Sequence, residues 1–524
     1  MEKLKNFTIK YYWLISIILI FSLALYLRTI PGYKMEYPHL QSEADCYLTY
    51  RLGLEIIDHG TLPKNDTYAA YGTYPTGFNR VEQDYGFNYY TFTTFYSILN
   101  PIFGVSFYWV GVWIPALLGA LQVLLLYFVA REIFNDKRIA IMSSALLAVI
   151  PGVLYRSSAG WMDKEPMAGI FMLIGLLFLF RGLREKEIKT TLISKILGKL
   201  KLNNEANENK IIIIRMIIYG LLAGMSFYFM NGTWGGLRFI LAVIGAFLAV
   251  SLVLNKYSKN IFYTYIPAFI SYFILSRTLG TIAPSIIDAE ILVNIIVIAI
   301  LVFRFSLEKF NLVRKEKIPL VIPGLMVAGL LVFLLVTYIN VDIGIWFNAL
   351  LERIQKPLSA DVIGSTVAES QTAEGFFGDA PVQFGTVYAI SSTLAWPEIL
   401  RWFSVFYIAL LGLALMAVQI LYKYFRTKSM DFKHEYIFSY TFVILSIIAS
   451  IGAVRLGFFL AFPIALVAGY MIIKSYDYFL RYGQKLKIGK NYLIIIAAAV
   501  ILVIFVSHSA SAYMVETSIG PGLD

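Results

Sequence analysis

The chain has 524 residues, 59% hydrophobic and only 15% charged, with a mean hydropathy of +0.70 and a net charge of +11. Soluble chains carry about 25% charged residues, so this composition, with apolar runs of about 18 or more residues recurring along the length, indicates an all-α polytopic membrane protein. The excess positive charge lies in short segments between apolar runs, where it orients a membrane protein. It is not a nucleic-acid footprint, and no nucleic-acid partner is expected.

The first apolar run, Tyr11–Arg28, is long enough to span and has no small-residue cleavage site, so it reads as an anchor. About thirteen candidate spans follow from the ~20-residue criterion. They lie near 11–29, 107–131, 138–155, 166–182, 211–230, 234–254, 261–276, 285–303, 318–339, 397–422, 436–454, 456–474 and 491–509. Charge checks the count. With Met1–Lys10 in the cytoplasm, the Lys/Arg-rich loops Arg131–Arg138, Arg181–Lys210, Asn255–Asn260, Arg304–Lys317, Lys423–His434 and Lys474–Lys490 all fall inside. The poorer set falls outside: Pro31–Ser106, Arg156–Glu165, Asn231–Gly232, Arg277–Pro284, Asn340–Trp396, Ala453–Arg455 and the tail after Ser507. The expected location is a multi-pass position in the cell membrane with a cytoplasmic N-terminus.

Two outside loops are long, and long loops tend to carry function. In the first, residues 31–106, the run from Tyr47 to His59 has apolar residues at helical spacing and is expected to lie along the interface. The same loop holds Asn65-Asp66-Thr67, a glycosylation-type triplet. The second, residues 340–396, carries Ile363-Gly-Ser-Thr-Val-Ala-Glu-Ser-Gln371 and is rich in small residues.

Between two apolar runs lies Arg156-Ser-Ser-Ala-Gly-Trp-Met-Asp-Lys-Glu-Pro166. Charge at the edge of hydrocarbon is costly and is a mark of function. Pro166 suits the first turn of the next helix, which leaves Asp163 and Glu165 in the turn before it, near the positive end of a helix dipole. The pair reads either as a hydrated turn with a helix cap or as part of a cation site. Topology brings Asp45, Asp163, Glu165 and Glu369 to one membrane face. Two unit charges ~4 Å apart cost about 4 kcal/mol at an effective dielectric near 20, so a cluster of these acids must take up protons or bind a divalent ion. Oxygen donors favour Mg²⁺, Mn²⁺ or Ca²⁺ over zinc, and four histidines and a single cysteine, Cys46, point the same way. Arg455 and Arg156 each invite two readings: an anion-binding guanidinium, or an ion pair inside the bundle. For Arg156 the favoured one is structural, pinning the Asp163–Glu165 turn. Cys46 reads as a small packing residue.

These stretches together resemble the catalytic subunit of oligosaccharyltransferase, of the prokaryotic, archaeal single-subunit type. The family's first outside loop carries an acid followed by aromatic and basic residues, as in Glu43-Ala-Asp45-Cys-Tyr47-Leu-Thr-Tyr50-Arg51. Its second acidic motif has an Arg-Ser-x-Ala-Gly lead, as in Arg156-Ser-Ser-Ala-Gly160-Trp-Met-Asp163-Lys-Glu165. A later loop carries Thr366-Val-Ala-Glu369, the turn Asn231–Gly236 resembles the family's Ser-Trp-Gly-Gly turn, and Arg455 stands where the family keeps an arginine for the lipid-linked phosphate.

The resemblance implies a membrane domain of the GT-C glycosyltransferase type. The implied activity is transfer of an oligosaccharide from a polyprenyl or dolichyl (di)phosphate to the Asn side chain of Asn-x-Ser/Thr in an acceptor protein or peptide, at the extracytoplasmic face among membrane lipids. The implied metal is Mg²⁺ or Mn²⁺, held by Asp45, Asp163, Glu165 and Glu369. Asp45 and Glu369 would polarise the amide, and Arg455 would bind the donor phosphate. Residues 1–510 are expected to form this transmembrane domain and 511–524 an outside tail. The family's soluble domain, with its Trp-Trp-Asp motif, is expected to be absent, since no Trp-Trp-Asp occurs here. Other acceptors, a relative that binds donor without catalysis, and a cation-coupled transporter remain as alternatives.

Overall fold

The computed structural model describes residues 2–34, 40, 44–66, 79–83, 85–185, 205–256, 258–280, 284, 288–310, 313, 324, 404–428, 432–452 and 456–518. Among them the regular structure is helical. In chain order the helices are α1 (Glu2–Lys34), α2 (Ala44–His59), α3 (Arg80–Gln83), α4 (Gly86–Phe103), α5 (Phe107–Phe134), α6 (Lys137–Val149), α7 (Pro151–Leu154), α8 (Glu165–Leu183), α9 (Glu205–Thr233), α10 (Leu237–Val253), α11 (Lys259–Thr278), α12 (Ala289–Lys309), α13 (Val405–Thr427), α14 (His434–Gly452), α15 (Gly457–Lys485) and α16 (Lys490–Ser518). Eight of the described helices are long and apolar enough to cross a membrane. α10 and α16 are apolar over shorter stretches. Apart from Gly324, the span expected at 318–339 lies outside the described residues.

The bundle is organised around α5 and the first half of α15, from Gly457 to Tyr470, both apolar on every side. A helix apolar all round has no polar face to give to water, so it goes to the middle of its neighbours. In α15 89% of the most apolar window is buried. α5 packs against α1, α6 and α8, while α15 packs against α6, α13 and α14. α8, α9 and α11 form a second layer. A smaller apolar cluster sits at one end of the bundle, where Cys46, Phe92, Phe107, Val110, Ala159 and Met162 meet. Cys46 is fully buried there, as a packing residue would be.

The run 138–155, expected as one span, is broken. α6 stops at Val149, Ile150 is extended (φ −74, ψ 117), and α7 leaves at 66°. Pro151 is the cause: its ring disfavours helical geometry at the preceding residue, and it has no N–H to continue the ladder. The stretch 86–103 was expected as loop and is a helix, closed by Gly104 in the left-handed region (φ 65).

The turn that follows α7 is tied down by a buried arginine. Arg28 on α1 donates from Nε to Ser157 Oγ (2.9 Å) and from Nη1 to the carbonyls of Ala24 (3.1 Å) and Ala148 (3.3 Å), and its own carbonyl accepts from Ala159 N (2.8 Å). Gly119 on α5 gives it room. A Cβ there would stand 2.5 Å from Arg28 Nε and 2.5 Å from Ser157 Oγ. Arg28 thus joins α1, the end of α6 and the turn, with α5 pressed against the junction.

A second clasp closes the first long loop. Arg51 Nη2 donates to Asp66 Oδ2 at 2.5 Å and Arg80 Nε to the same oxygen at 2.9 Å. Burial alone would raise the Asp66 carboxyl, but the two guanidiniums more than offset it and hold it below the usual carboxylate range. A lowered folded-state value contributes stability that is present in full above the unfolded value, near pH 4, and is lost as pH falls through the folded value.

Two outcomes follow. Gly119→Ala should lower stability by about 1–3 kcal/mol through overpacking at Arg28 and Ser157, read as earlier thermal unfolding in detergent; an unchanged transition would remove the clamp. Asp66→Asn should unfold at a lower temperature than the parent at pH 7, and the gap should narrow below about pH 4. A gap constant with pH would show that charge is not what Asp66 contributes.

Candidate metal and acceptor site

The acidic turn is built between two fixed walls. Tyr155–Ser157 form one 3-10 turn after α7. Ala159 N then bonds the Arg28 carbonyl on α1, and Gly160 N bonds Val112 O on α5, at 2.8 Å each. Gly160 has φ +86, a conformation L side chains rarely adopt, so glycine is needed to swing the chain from one wall to the next. Trp161 is buried beneath the turn, with the Tyr155 ring at 4.6 Å and the Arg156 guanidinium at 5.5 Å from its ring.

α8 begins at Glu165, one residue before the expected Pro166 start, with the proline in its first turn. Gln122 on α5 braces this end: its Nε2 donates to the carbonyls of Glu165 (3.2 Å) and Pro166 (2.7 Å). Asp163 and Glu165 are 1% and 3% exposed, so neither is a solvated loop residue. Arg156 Nη1 donates to Glu165 Oε1 at 2.9 Å, whereas Glu165 Oε2 is buried with no hydrogen-bond partner among the described residues. Burial first, and then the Glu165 carboxylate beside it, push the Asp163 carboxyl well above its ordinary value, against the pull of Lys164.

Asp45 arrives from the first turn of α2, and its carboxylate raises Asp163 further. Its direct partner is Lys164, whose Nζ donates to Asp45 Oδ2 at 2.9 Å while its backbone N donates to Asp163 Oδ1 at 2.7 Å. Burial opposes the Lys164 charge, but Asp163 and Asp45 more than offset it and hold its value up.

The structure therefore brings Asp45, Asp163, Glu165 and Arg156 to one place. Glu369 and Arg455 lie outside the described residues. Among the described residues no three Asp, Glu, His or Cys side chains are grouped closely enough to hold a metal ion as they stand: Asp163 and Glu165 are paired, and Asp45 is turned onto Lys164. The donor chemistry still fits a hard cation, with oxygen ligands only and a buried carboxylate oxygen left open at Glu165.

The sequence reading missed Lys164, Gln122 and Arg28. Gln122 was visible as a polar residue inside the apolar run 107–131, and Arg28 as a charge at the end of the first run. A polar group in an apolar span must find a partner, but the partner's identity is tertiary. At the other end of α5 and α8 the acids are paired differently. Glu132 accepts from Arg181 (2.5 Å), and Arg215 lies 2.9 Å from Glu185. Those pairs balance one to one, whereas at the acidic turn three carboxylates face two cationic side chains, Lys164 and Arg156, among the described residues.

The fold is similar to solved structures of an archaeal enzyme. It superposes on the Archaeoglobus fulgidus oligosaccharyltransferase AglB, solved with an inhibitory peptide and a dolichol-phosphate, with TM-score 0.70 and 17% identity over 99% of this chain and 57% of that one. The same enzyme tethered to an acceptor peptide containing an NVT sequon gives TM-score 0.69 at 18% identity, and its complex with Zn and sulfate gives 0.60 at 17%, covering 57% and 54% of those chains. The rice glycosyltransferase subunit STT3B is 26% identical over 253 residues, 48% of this chain and 30% of that one. A dolichyl-phosphooligosaccharide-protein glycotransferase of Methanocaldococcus jannaschii is 30% identical over 112 residues, 21% of this chain and 11% of that one. The chain thus spans a little over half the length of the solved relatives, and the matches cover a third or less of these curated ones. The model of the family described as "Oligosaccharyl transferase STT3, N-terminal" matches residues 16–510, and on that match the chain belongs to the oligosaccharyl transferase STT3 family.

Proposed function

We propose that this chain supplies the membrane part of an oligosaccharyltransferase. It takes an oligosaccharide from a polyprenyl or dolichyl (di)phosphate and transfers it to the side-chain nitrogen of Asn in Asn-x-Ser/Thr, with a Mg²⁺ or Mn²⁺ ion. The observation that carries this is the clamped Asp163–Glu165 pair, buried, in excess of its counter-charge and with a carboxylate oxygen left open, in a member of the STT3 family. The solved relative bound to dolichol-phosphate and a peptide supports the same donor and acceptor classes.

The chemistry needs carboxylates because an amide nitrogen is a poor nucleophile: its lone pair is shared with the carbonyl. Asp45 and Glu369 accept its two N–H bonds and hold it in the direction of attack. The bond formed joins that nitrogen to the anomeric carbon. The bond broken joins the anomeric carbon to a phosphate oxygen, which leaves with the electron pair, and the nitrogen's proton passes to a carboxylate oxygen. Arg455 receives the negative charge on the leaving phosphate. Arg156 keeps Glu165 ionised and aimed, and Gln122 keeps the first turn of α8 from shifting. Asp45, Asp163, Glu165 and Glu369 would hold the divalent ion, which when bound would screen their charge and fix their orientation. Glu369 belongs to the segment 340–396. The site faces the extracytoplasmic side of the cell membrane, and the N-terminus is cytoplasmic.

In a transfer assay with lipid-linked oligosaccharide and a fluorescent sequon peptide, Asp163→Ala, Glu165→Ala and Glu369→Ala should each lose on the order of 10²-fold or more in rate. Chelation should abolish transfer and Mn²⁺ should restore it; rates within about twofold of the parent for all three variants would remove this mechanism. Topology is checked separately, in a Cys46→Ser background on intact cells. A membrane-impermeant maleimide should label Asn65→Cys and leave Lys485→Cys unlabelled, and the reverse pattern would invert the orientation.

A further inference from the structure

We propose that Lys164 competes with the divalent ion for Asp45, so that the residue between the two acids of the turn sets how tightly the ion is held. The inference rests on the metal reading above and concerns only this chain's own side chains.

Lys164 lies between Asp163 and Glu165 in the chain and feels the charge of both, yet its ammonium makes its hydrogen bond elsewhere. Its backbone N is hydrogen-bonded to Asp163 Oδ1, which fixes the main chain, and its ammonium crosses to Asp45 Oδ2 on α2, 119 residues earlier. Asp45 is thereby held by an organic cation, in a site where no three acid, His or Cys side chains among the described residues are set to hold a metal ion as they stand. Two positive charges cannot share one carboxylate at contact distance without strong repulsion. An ion that takes Asp45 as a ligand must therefore displace the ammonium.

The two ion pairs of the turn differ in how easily they yield. Arg156 and Glu165 are 11% and 4% exposed, so breaking their contact strands a buried charge. Lys164 and Asp45 are 27% and 29% exposed, and both groups have water at hand when they part. The exchange therefore takes place at Lys164, with Arg156 staying on Glu165. The flexible four-carbon stem of lysine suits this role, since it can release a carboxylate by rotating away, whereas a planar guanidinium holds it in a fork. Until the ion arrives, the ammonium offsets part of the repulsion among three acids.

The test is Mn²⁺ binding followed by electron paramagnetic resonance on the purified full chain in detergent, with neither donor nor peptide present. Lys164→Met should tighten Mn²⁺ binding about tenfold or more and enlarge the Mn²⁺-induced rise in thermal stability. Lys164→Arg keeps the charge and should bind no more tightly than the parent. The gain from Lys164→Met should largely vanish in an Asp45→Asn background, because competition for Asp45 is what the lysine contributes. Thermal unfolding without metal establishes that each variant is folded. Equal affinities for parent and Lys164→Met, or a gain that persists undiminished with Asp45→Asn, would overturn the competition. A parent chain that binds no Mn²⁺ would overturn the metal reading first, and this inference with it.

Discussion

A guanidinium inside a helical bundle has few places to put its hydrogen bonds, and where Arg28 puts them decides where the acidic turn lies. Its donors reach Ser157, Ala24 and Ala148, and its carbonyl holds Ala159. The arginine is fully buried. In that environment an unsatisfied charged group costs far more than it would at a surface, so the arrangement tolerates little slack. The first helix, the broken helix and the turn are joined because a single side chain bonds to all three. Gly160 and Val112 add the wall on α5, and Gln122 stops the next helix from sliding. The acids inherit their position from neutral backbone contacts and one buried cation on the first helix.

Charge is distributed to match. At one end of α5 and α8 Glu132 is paired with Arg181 and Glu185 with Arg215, which makes those contacts braces. At the other end three carboxylates face two cationic side chains among the described residues, and Asp163 and Glu165 are almost wholly buried. An excess charge kept away from water is unstable by itself and calls for something to neutralise it: a proton, an ammonium or an ion. The raised Asp163 and the Lys164–Asp45 contact are the first two of these on view.

What was legible in the sequence follows the range of the physics. Apolar spans could be read because hydrocarbon length is a local property. The α2 helix was visible in the spacing from Tyr47 to His59, and Asp45, Asp163 and Glu165 stood out as acids beside apolar runs. The break at Ile150 was also in plain view as Pro151 but was absorbed into an apolar run, because hydropathy is blind to a missing N–H. α4 was passed over since its tyrosines, threonines and asparagines dilute the apolar signal. Lys164 looked like a spacer, for nothing near it in sequence hints that its partner lies on α2. The same holds for Gln122 and Arg28, whose roles exist only through residues far away in the chain. Glu369, Arg455 and, apart from Gly324, the span at 318–339 belong to stretches outside the described residues.

The bent pair α6–α7 has one more implication, for the order of events during synthesis. α6 does not finish its packing against α5 alone; it also lies along α15, where Ser143 Oγ donates to Leu466 O at 3.4 Å across 323 residues of chain. α7, which launches the acidic turn, touches α15 as well. A ribosome adding about 5–20 residues per second needs on the order of half a minute, give or take a factor of two, to cover that interval. Through all of it the turn exists with one of its supports still unmade. The acidic turn gains its last support only when nearly the entire membrane segment has been laid down, so a nascent chain emerging into the bilayer carries the acids before it carries the rigidity around them.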